Sequence, residues 1–207
     1  KSDSSQLTNG LNSPYQLQIE FKPYSCARPI HNAIDCALSI RQLHKPDLTA
    51  IKSIRMERHP DWAHYHQNPA PSTYHEAQVS LPYSIAIALK EGQALLKQYS
   101  NRNLANPLLR RIAGLTEIVA NPALSRGVSC RMTLVMNDGL EFVANVDYPK
   151  GSVQNPMSSK ELSHKFNSLA APVIGSGQAA KLEKMVNDID KCRDIGKLMR
   201  LTGKVRA

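Results

Sequence analysis

The sequence is poor in aromatic residues and has fewer acidic than basic side chains. Phe, Trp and Tyr make up 5% of the 207 residues, and no aromatic–basic platform of the kind that binds single-stranded nucleic acid is present. The formal net charge of +9 suits either nucleic acid or small acidic molecules. Because the basic residues are scattered, apart from a denser tail over residues 191–206, we expect no nucleic-acid partner.

Long hydrophobic runs are also missing. No stretch of about 18 apolar residues occurs, so we expect no membrane-spanning helix. No signal-peptide pattern is present, and the first residue is Lys1 rather than Met, so we expect a cytoplasmic protein and a piece of a longer chain. A composition of 42% hydrophobic and 21% charged residues is ordinary for a soluble domain with one sizeable core.

Patterns typical of metal and nucleotide sites are absent. The four cysteines do not have CxxC spacing, and we expect reduced, mostly buried thiols. Four histidines lie within residues 59–75, but prolines there indicate an irregular loop, and no Cys or Asp pair stands at ligand spacing. There is no GxSxG motif, P-loop or dinucleotide fingerprint. We therefore expect no metal.

The first third of the chain predicts a strand, a helix and a second strand. Residues 1–14 are polar and read as a flexible lead or linker. Residues 15–21 alternate in hydrophobicity, as in a half-buried strand. Pro29 suits the first turn of a helix with one apolar stripe that ends at residues 44–46. Residues 48–58 predict the second strand, which would complete a crossover unit.

The middle of the chain predicts mainly helices. Thr73 begins a capping box, so a helix should start there, and Pro82 should interrupt it and cause a kink or a restart. Gly92 stands where a helix would end. Residues 103–113 predict another short helix.

The last part predicts a hairpin followed by helices. Residues 115–120 predict a short strand, and residues 128–136 and 140–146 predict two strands that flank a tight turn over 137–139. A second capping box begins at Ser158 and starts a predicted helix at about residues 159–170. Two more helices are predicted after it, at about residues 178–192 and 194–201. Together these elements indicate an α+β domain over residues 15–207, a two-layer sandwich with a mixed or antiparallel sheet and helices mainly on one face.

One turn gathers side chains that suit an anionic ligand. In FKPYSCARPIHNAID (residues 21–35), Lys22, Arg28 and His31 can all be cationic where a strand meets a helix. A carboxylate or phosphate bound there would also feel the positive end of that helix. The ordinary alternatives are a solvated lysine and a histidine that packs or caps.

Two further candidates lie elsewhere. Tyr83 follows the predicted helix restart, where its hydroxyl could face a cleft, and Lys150 belongs to the glycine- and proline-containing loop YPKGSVQNP. The alternatives are a core tyrosine with a satisfied hydroxyl and a plain surface turn.

Taken in order, three segments closely resemble the C-terminal half of the MmgE/PrpD family. They are FKPYSCARPIHNAID, HEAQVSLPYSIAIAL and DGLEFVANVDYPKGSVQNPMSSKELSHKF. The resemblance runs over residues 15–201. The family includes 2-methylcitrate dehydratase, cis-aconitate decarboxylase and iminodisuccinate epimerase.

The resemblance implies a homodimeric, cytoplasmic lyase or isomerase that needs no metal or organic cofactor. Its small polycarboxylate substrate would bind in a cleft between this domain and a helical N-terminal domain that supplies most of the acid–base groups. Lys22 matches a carboxylate-binding lysine of the family, and Tyr83 is similar to a cleft-facing tyrosine of the decarboxylase. We therefore expect Lys22, Tyr83 and His31 to be catalytic, and Lys22, Arg28 and Lys150 to bind substrate.

One position departs from the decarboxylase pattern. Relatives of the decarboxylase carry a histidine five residues after the lysine, where this chain has Ala27. We therefore expect dehydration or epimerisation, with a 2-methylcitrate dehydratase-like enzyme as the leading hypothesis and His31 as a partial replacement for the missing group. The alternative is a degenerate or non-catalytic fragment that serves assembly or ligand binding.

Overall fold

A computed structural model describes residues 3–4, 8–10, 19–125 and 129–203. Its helices are α1 (His31–His44), α2 (Pro60–Ala63), α3 (Tyr74–Gln78), α4 (Leu81–Glu91), α5 (Asn101–Leu104), α6 (Pro107–Gly114), α7 (Ser159–Ile174), α8 (Ser176–Asn187) and α9 (Ile195–Leu201). Its strands are β1 (Ile51–Arg58), β2 (Thr116–Ala120), β3 (Cys130–Met136) and β4 (Glu141–Val146).

The strands form a four-stranded mixed sheet in the order β2-β1-β3-β4. β1 lies parallel to β2 and antiparallel to β3, so Ile54 stands opposite Thr116 on one side and Leu134 on the other. β3 and β4 form the predicted hairpin, and Gly139 in its turn has φ +89°. The predicted α+β fold with a mixed sheet is confirmed.

Helices α1, α4 and α6 form a layer on one face of this sheet. Along β1 the buried residues Ile54 and Met56 alternate with the exposed Arg55, and β3 shows the same alternation. α1 packs against β3 and β4, and α4 packs against α1 and α6. Because side chains alternate across a strand, the apolar positions meet these helices while the polar ones remain on the open face.

Local signals explain where α1 and α4 begin and end. Pro29 lies in a short 3₁₀ turn that leads into α1, and α1 ends at Lys45 in the left-handed conformation. Ser80 caps α4 by accepting a hydrogen bond from the Tyr83 N–H, with Pro82 in the first turn. Gly92 follows α4 with φ +70°. The predicted helix restart and the predicted glycine end are therefore both correct.

The described part of the predicted strand over residues 15–21 is not a strand. Residues 15–18 lie outside the described residues, and residues 19–21 form no strand. The Phe21 N–H instead donates to the carbonyl of Gly151, which belongs to a loop. The parallel crossover therefore joins β1 to β2 through α2–α6, and not the two predicted strands. Hydrophobic alternation cannot reveal whether a strand finds a neighbouring edge to pair with.

Several boundaries also differ from the prediction. The single helix expected over residues 103–113 is divided into α5 and α6, because Pro107 has no N–H and Asn106 caps a new helix there. β1 starts at Ile51, three residues late, because Asp47 caps a short 3₁₀ turn before it. α7 is longer than predicted and continues past Pro172 to Ile174.

The C-terminal helices α7–α9 share a small apolar cluster of their own. It is centred on Ile174, Ala179 and Leu182, apart from the main core under the sheet. The predicted capping box opens α7, where Ser158 and Glu161 bond reciprocally. The first half of α7 reaches the turn that carries Lys22. In the described part of the chain, no helix is long and apolar enough to cross a membrane.

Candidate functional site

Arg28 connects the candidate turn to the loop after β4. Its guanidinium donates to the carbonyl of Lys150 at 3.0 Å and to Nδ1 of His31 at 3.2 Å. It also forms an ion pair with Glu20 at 3.2 Å. The structure therefore brings together three of the predicted site residues, Arg28, His31 and Lys150, which are up to 122 positions apart in the sequence.

Asp35 on α1 holds the same loop from the other side. One carboxylate oxygen accepts a hydrogen bond from the Tyr24 hydroxyl, and the other accepts the Lys150 N–H at 2.7 Å. Burial raises the pKa of Asp35, and the bonds from Tyr24 and Lys150 oppose that rise. The Phe21 N–H donates to Gly151 O at 2.9 Å. Side-chain and main-chain hydrogen bonds thus join the turn over residues 21–35 to the loop of Lys150 and Gly151, and the two segments form one structural unit.

His31 lies wholly inside this unit. Its side chain has 0% exposure, and its ring lies 5.0 Å from that of Tyr24. Burial, and then the positive charge of Arg28, lower its pKa to about 3. His31 therefore carries no positive charge at neutral pH, contrary to the expectation from its residue type. Because Arg28 donates to Nδ1, the ring proton belongs on Nε2, which has no hydrogen-bond partner within the described ranges.

We expect the ring of His31 to stay neutral from pH 8 down to about pH 4. Because its folded pKa of about 3 lies below the unfolded value near 6.5, protonation favours the unfolded state. Its contribution to stability should be complete above pH 6.5 and should decline as the pH falls toward 3. Long-range ¹H–¹⁵N spectra of the imidazole report the protonation state directly. A ring signal that titrates near pH 6.5 would contradict the expectation, and His31→Asn should remove this part of the pH dependence of unfolding.

The lysines of the site are not equivalent. Lys150 forms an ion pair with Glu161 at 3.0 Å, so its ammonium already has a carboxylate partner. Lys22 is exposed, and its main-chain carbonyl accepts a hydrogen bond from Nζ of Lys165 at 2.5 Å. Burial and the charge of Lys22 lower the pKa of Lys165.

Lys165 is the residue that sequence reasoning missed. It stands four positions after Glu161 on α7, and residues at that spacing share a helix face. Lys150 was a candidate from the sequence, and an acidic partner for it was to be expected. Glu161 is that partner, and it could have drawn attention to Lys165 on the same helix face. The signal was weak because a contact across 143 positions leaves no mark on local spacing.

A cleft of about 350 Å³ lies between the turn and α7. Its apolar wall includes Pro23, Leu95 and Met157, and its rim carries Lys150, Lys160, Glu161, His164 and Lys165. Such a cleft, with an apolar wall and several cations, suits a small anion with a short carbon skeleton. The structure thus places cationic side chains beside the turn that carries Lys22.

Tyr83 lies in the helical layer. It belongs to α4, its side chain is 1% exposed, and its hydroxyl has no hydrogen-bond partner in the part of the chain that the structure describes. Burial raises its pKa to about 12, opposed by the charge of Arg110 on α6. The side chain is not among those that line the cleft beside α7. Its role in a cleft stays a prediction.

Comparison with known proteins decides the family. The family model described as the MmgE/PrpD C-terminal domain matches residues 24–191. The chain belongs to the MmgE/PrpD family. A cis-aconitate decarboxylase of Aspergillus terreus is 24% identical over 95% of this chain and 43% of the relative. One of Mus musculus is 23% identical over 90% and 40%, and a cis-aconitate decarboxylase-like protein of Aspergillus oryzae is 27% identical over 95% and 43%.

The chain therefore spans about two fifths of the length of the curated relatives that it matches. The predicted resemblance to this family is confirmed. The match begins two residues after Lys22, so the MmgE/PrpD model takes in the turn from Tyr24 onward, the loop of Lys150 and most of the C-terminal helices.

This MmgE/PrpD domain contains no group of three or more His, Cys, Asp and Glu side chains that could hold a metal ion, among the residues described. Its four cysteines are free. Cys26, Cys36 and Cys130 are buried, as predicted, and Cys192 is partly exposed. The loop histidines at 59–75 are thus not arranged as ligands in the described ranges.

Proposed function

We propose that this chain is the C-terminal domain of a lyase that acts on a small polycarboxylate. In this proposal it supplies the carboxylate-binding side of an active site that a helical N-terminal domain completes. The supporting observation is the cation-rimmed cleft beside Lys22 in a domain of the MmgE/PrpD family. Charge-assisted bonds from lysine to carboxylate are the contacts that such a cleft favours.

The chemistry agrees with this division of labour. In dehydration, a base removes the proton from a carbon next to a carboxylate, a C=C bond forms, and the neighbouring C–O bond breaks. The leaving hydroxide takes a proton from a general acid and departs as water. Negative charge develops on the carboxylate side during this step, and fixed cations stabilise it. Lys22 can serve in this way because it is exposed. His31 and Tyr83 are buried in this chain, so the proton-transfer groups would come mainly from the other domain.

Two reactions compete within the proposal, and a third stays open. Dehydration of a 2-methylcitrate-like acid is our first candidate, because this chain has Ala27 at the position where the family resemblance implies a histidine in a decarboxylase. Decarboxylation of cis-aconitate is the second, because the relatives named above are cis-aconitate decarboxylases or a protein like them. Epimerisation of a related acid is consistent with the same cation-lined cleft.

The test is an assay of the full-length protein with 2-methylcitrate and with cis-aconitate. We expect unsaturated product, followed by ultraviolet absorbance, from 2-methylcitrate, and a fall in kcat/KM of about 100-fold in Lys22→Ala. The matched control is Lys52→Ala, an exposed lysine of β1 outside the cleft. Release of CO₂ from cis-aconitate would instead favour the second candidate.

Other outcomes would overturn the lyase proposal. One is the absence of turnover of either acid by a folded full-length protein. Another is turnover that is equally fast in Lys22→Ala and in the Lys52→Ala control. Binding of citrate without any turnover would identify a ligand-binding member of the family.

A further inference from the structure

Lys165 on α7 reaches the main chain of Lys22, so two residues with ammonium side chains are neighbours in the structure. Nζ of Lys165 donates to the main-chain carbonyl of Lys22 at 2.5 Å, and the charge of Lys22 contributes to the lowered pKa of Lys165. Neighbouring like charges repel each other, and an anion that contacts both residues reduces that repulsion. The arrangement is therefore one that an anion would stabilise.

The nearby carboxylates are already engaged. Glu161 pairs with Lys150 at 3.0 Å, Glu20 pairs with Arg28 at 3.2 Å, and Asp35 accepts bonds from Tyr24 and the Lys150 N–H. In the ranges that the structure describes, which contain every Asp and Glu of the chain, neither Lys22 nor Lys165 forms an ion pair. These two cations thus differ from Arg28 and Lys150.

The position of Lys165 suits a ligand contact. It lines the cleft of about 350 Å³ together with Pro23 and Met157, and it is partly buried. An ammonium has three donors, and the Lys22 carbonyl occupies one of them, so two remain. Beside apolar side chains, a charge pair is stronger than in open water.

From this geometry we propose that Lys165 and Lys22 together hold one carboxylate group of the substrate. This inference rests on the proposed function and adds to it a second cation, delivered by α7. The substrate carboxylate would contact the ammonium groups of both lysines and would leave the bond from Lys165 to the Lys22 carbonyl intact.

The alternative role for Lys165 is purely structural, as a donor that fixes the Lys22 main chain. Two substitutions separate these roles. Lys165→Gln keeps an N–H donor for the carbonyl but removes the charge, whereas Lys165→Arg keeps the charge. Lys181→Ala, an exposed lysine on α8, is the control for a general loss of positive charge.

Citrate affinity is measured for the 207-residue chain by titration calorimetry at low and high salt. We expect Lys165→Gln to weaken citrate binding about tenfold, the value of one charge-assisted bond, with Lys165→Arg and Lys181→Ala close to the unsubstituted chain. The loss should shrink with added salt. Wild-type affinity in a folded Lys165→Gln variant would overturn the inference, as would an equal loss in Lys181→Ala.

Steady-state kinetics of the full-length protein separate this inference from the proposed function. An increase in KM for Lys165→Gln supports both. Turnover with an unchanged KM in Lys165→Gln overturns the role of Lys165 and leaves the lyase proposal standing. Loss of citrate affinity in Lys165→Gln with no turnover of any acid by the unsubstituted protein supports the carboxylate site and overturns the lyase proposal.

Discussion

The 207-residue chain by itself should dehydrate 2-methylcitrate at least about a thousand-fold more slowly than the full-length protein. Groups that act as a unit lose most of their catalysis when part of the unit is removed. Here Lys22 is exposed next to Pro23 of the cleft wall, while His31 and Tyr83, two of the expected catalytic side chains, are buried. We therefore expect the isolated chain to bind the acid without supplying the proton-transfer groups.

Exposure of the site to water should lower the rate of the isolated chain further. With one side of the site open, solvent screens the cations that should stabilise the developing negative charge. The measurement is the ultraviolet absorbance of the unsaturated product at equal concentrations of isolated chain and full-length protein. Circular dichroism should first establish that the isolated chain is folded. Turnover by the isolated chain within tenfold of the full-length rate would show that the domain is self-sufficient, and the proposed division of labour would be wrong.

Gly151→Ala should be among the most damaging single substitutions in the candidate site. A Cβ on Gly151 would lie 2.1 Å from the carbonyl oxygen of Phe21 and 3.0 Å from Cδ of Pro23, and the residue has φ +84°. The close atom of Phe21 belongs to the main chain and cannot rotate away as a side chain could. The loop that carries Gly151 and the turn that carries Phe21 must therefore move apart. We expect a fall in the free energy of unfolding of about 3 kcal/mol, together with weaker citrate binding, because the same loop positions Lys150.

Gly139 offers a matched control. It has φ +89° in the hairpin turn, and a Cβ there would meet nothing within 4 Å. Gly139→Ala should therefore show the backbone cost alone, about 1 kcal/mol, with no effect on citrate binding. Urea unfolding of both variants measures the difference. Equal losses in the two variants would mean that the close approach of Gly151 to Phe21 is not important for stability.

Much of the fold could be read from local signals. The hairpin turn at Gly139, the helix end at Gly92 and the cap at Ser158 were predicted because each depends on residues within four positions of one another. The same holds for α1, whose apolar stripe follows Pro29. Where local signals failed, as over residues 19–21, the outcome depended on pairing with a distant part of the chain.

Some features of the candidate site could likewise be predicted from the sequence, and others could not. Residue types and motif order identified the turn that carries Lys22, and the three segments identified the MmgE/PrpD family, which the family match confirms. They did not reveal that His31 is buried and neutral or that Lys150 is paired with Glu161. Burial and ion pairing depend on which side chains arrive from elsewhere, and spacing along the chain does not record this.

The sequence by itself therefore determined the α+β class, the family and the position of the basic turn, because these follow from short-range patterns and from long, specific motifs. Only the tertiary structure decided which lysines of the described ranges have no Asp or Glu partner. It brings Lys165 to Lys22 across 143 positions and binds the Lys150 loop to Asp35 across 115. Electrostatic interactions act through space, so the charge of a site is settled only when the chain has folded.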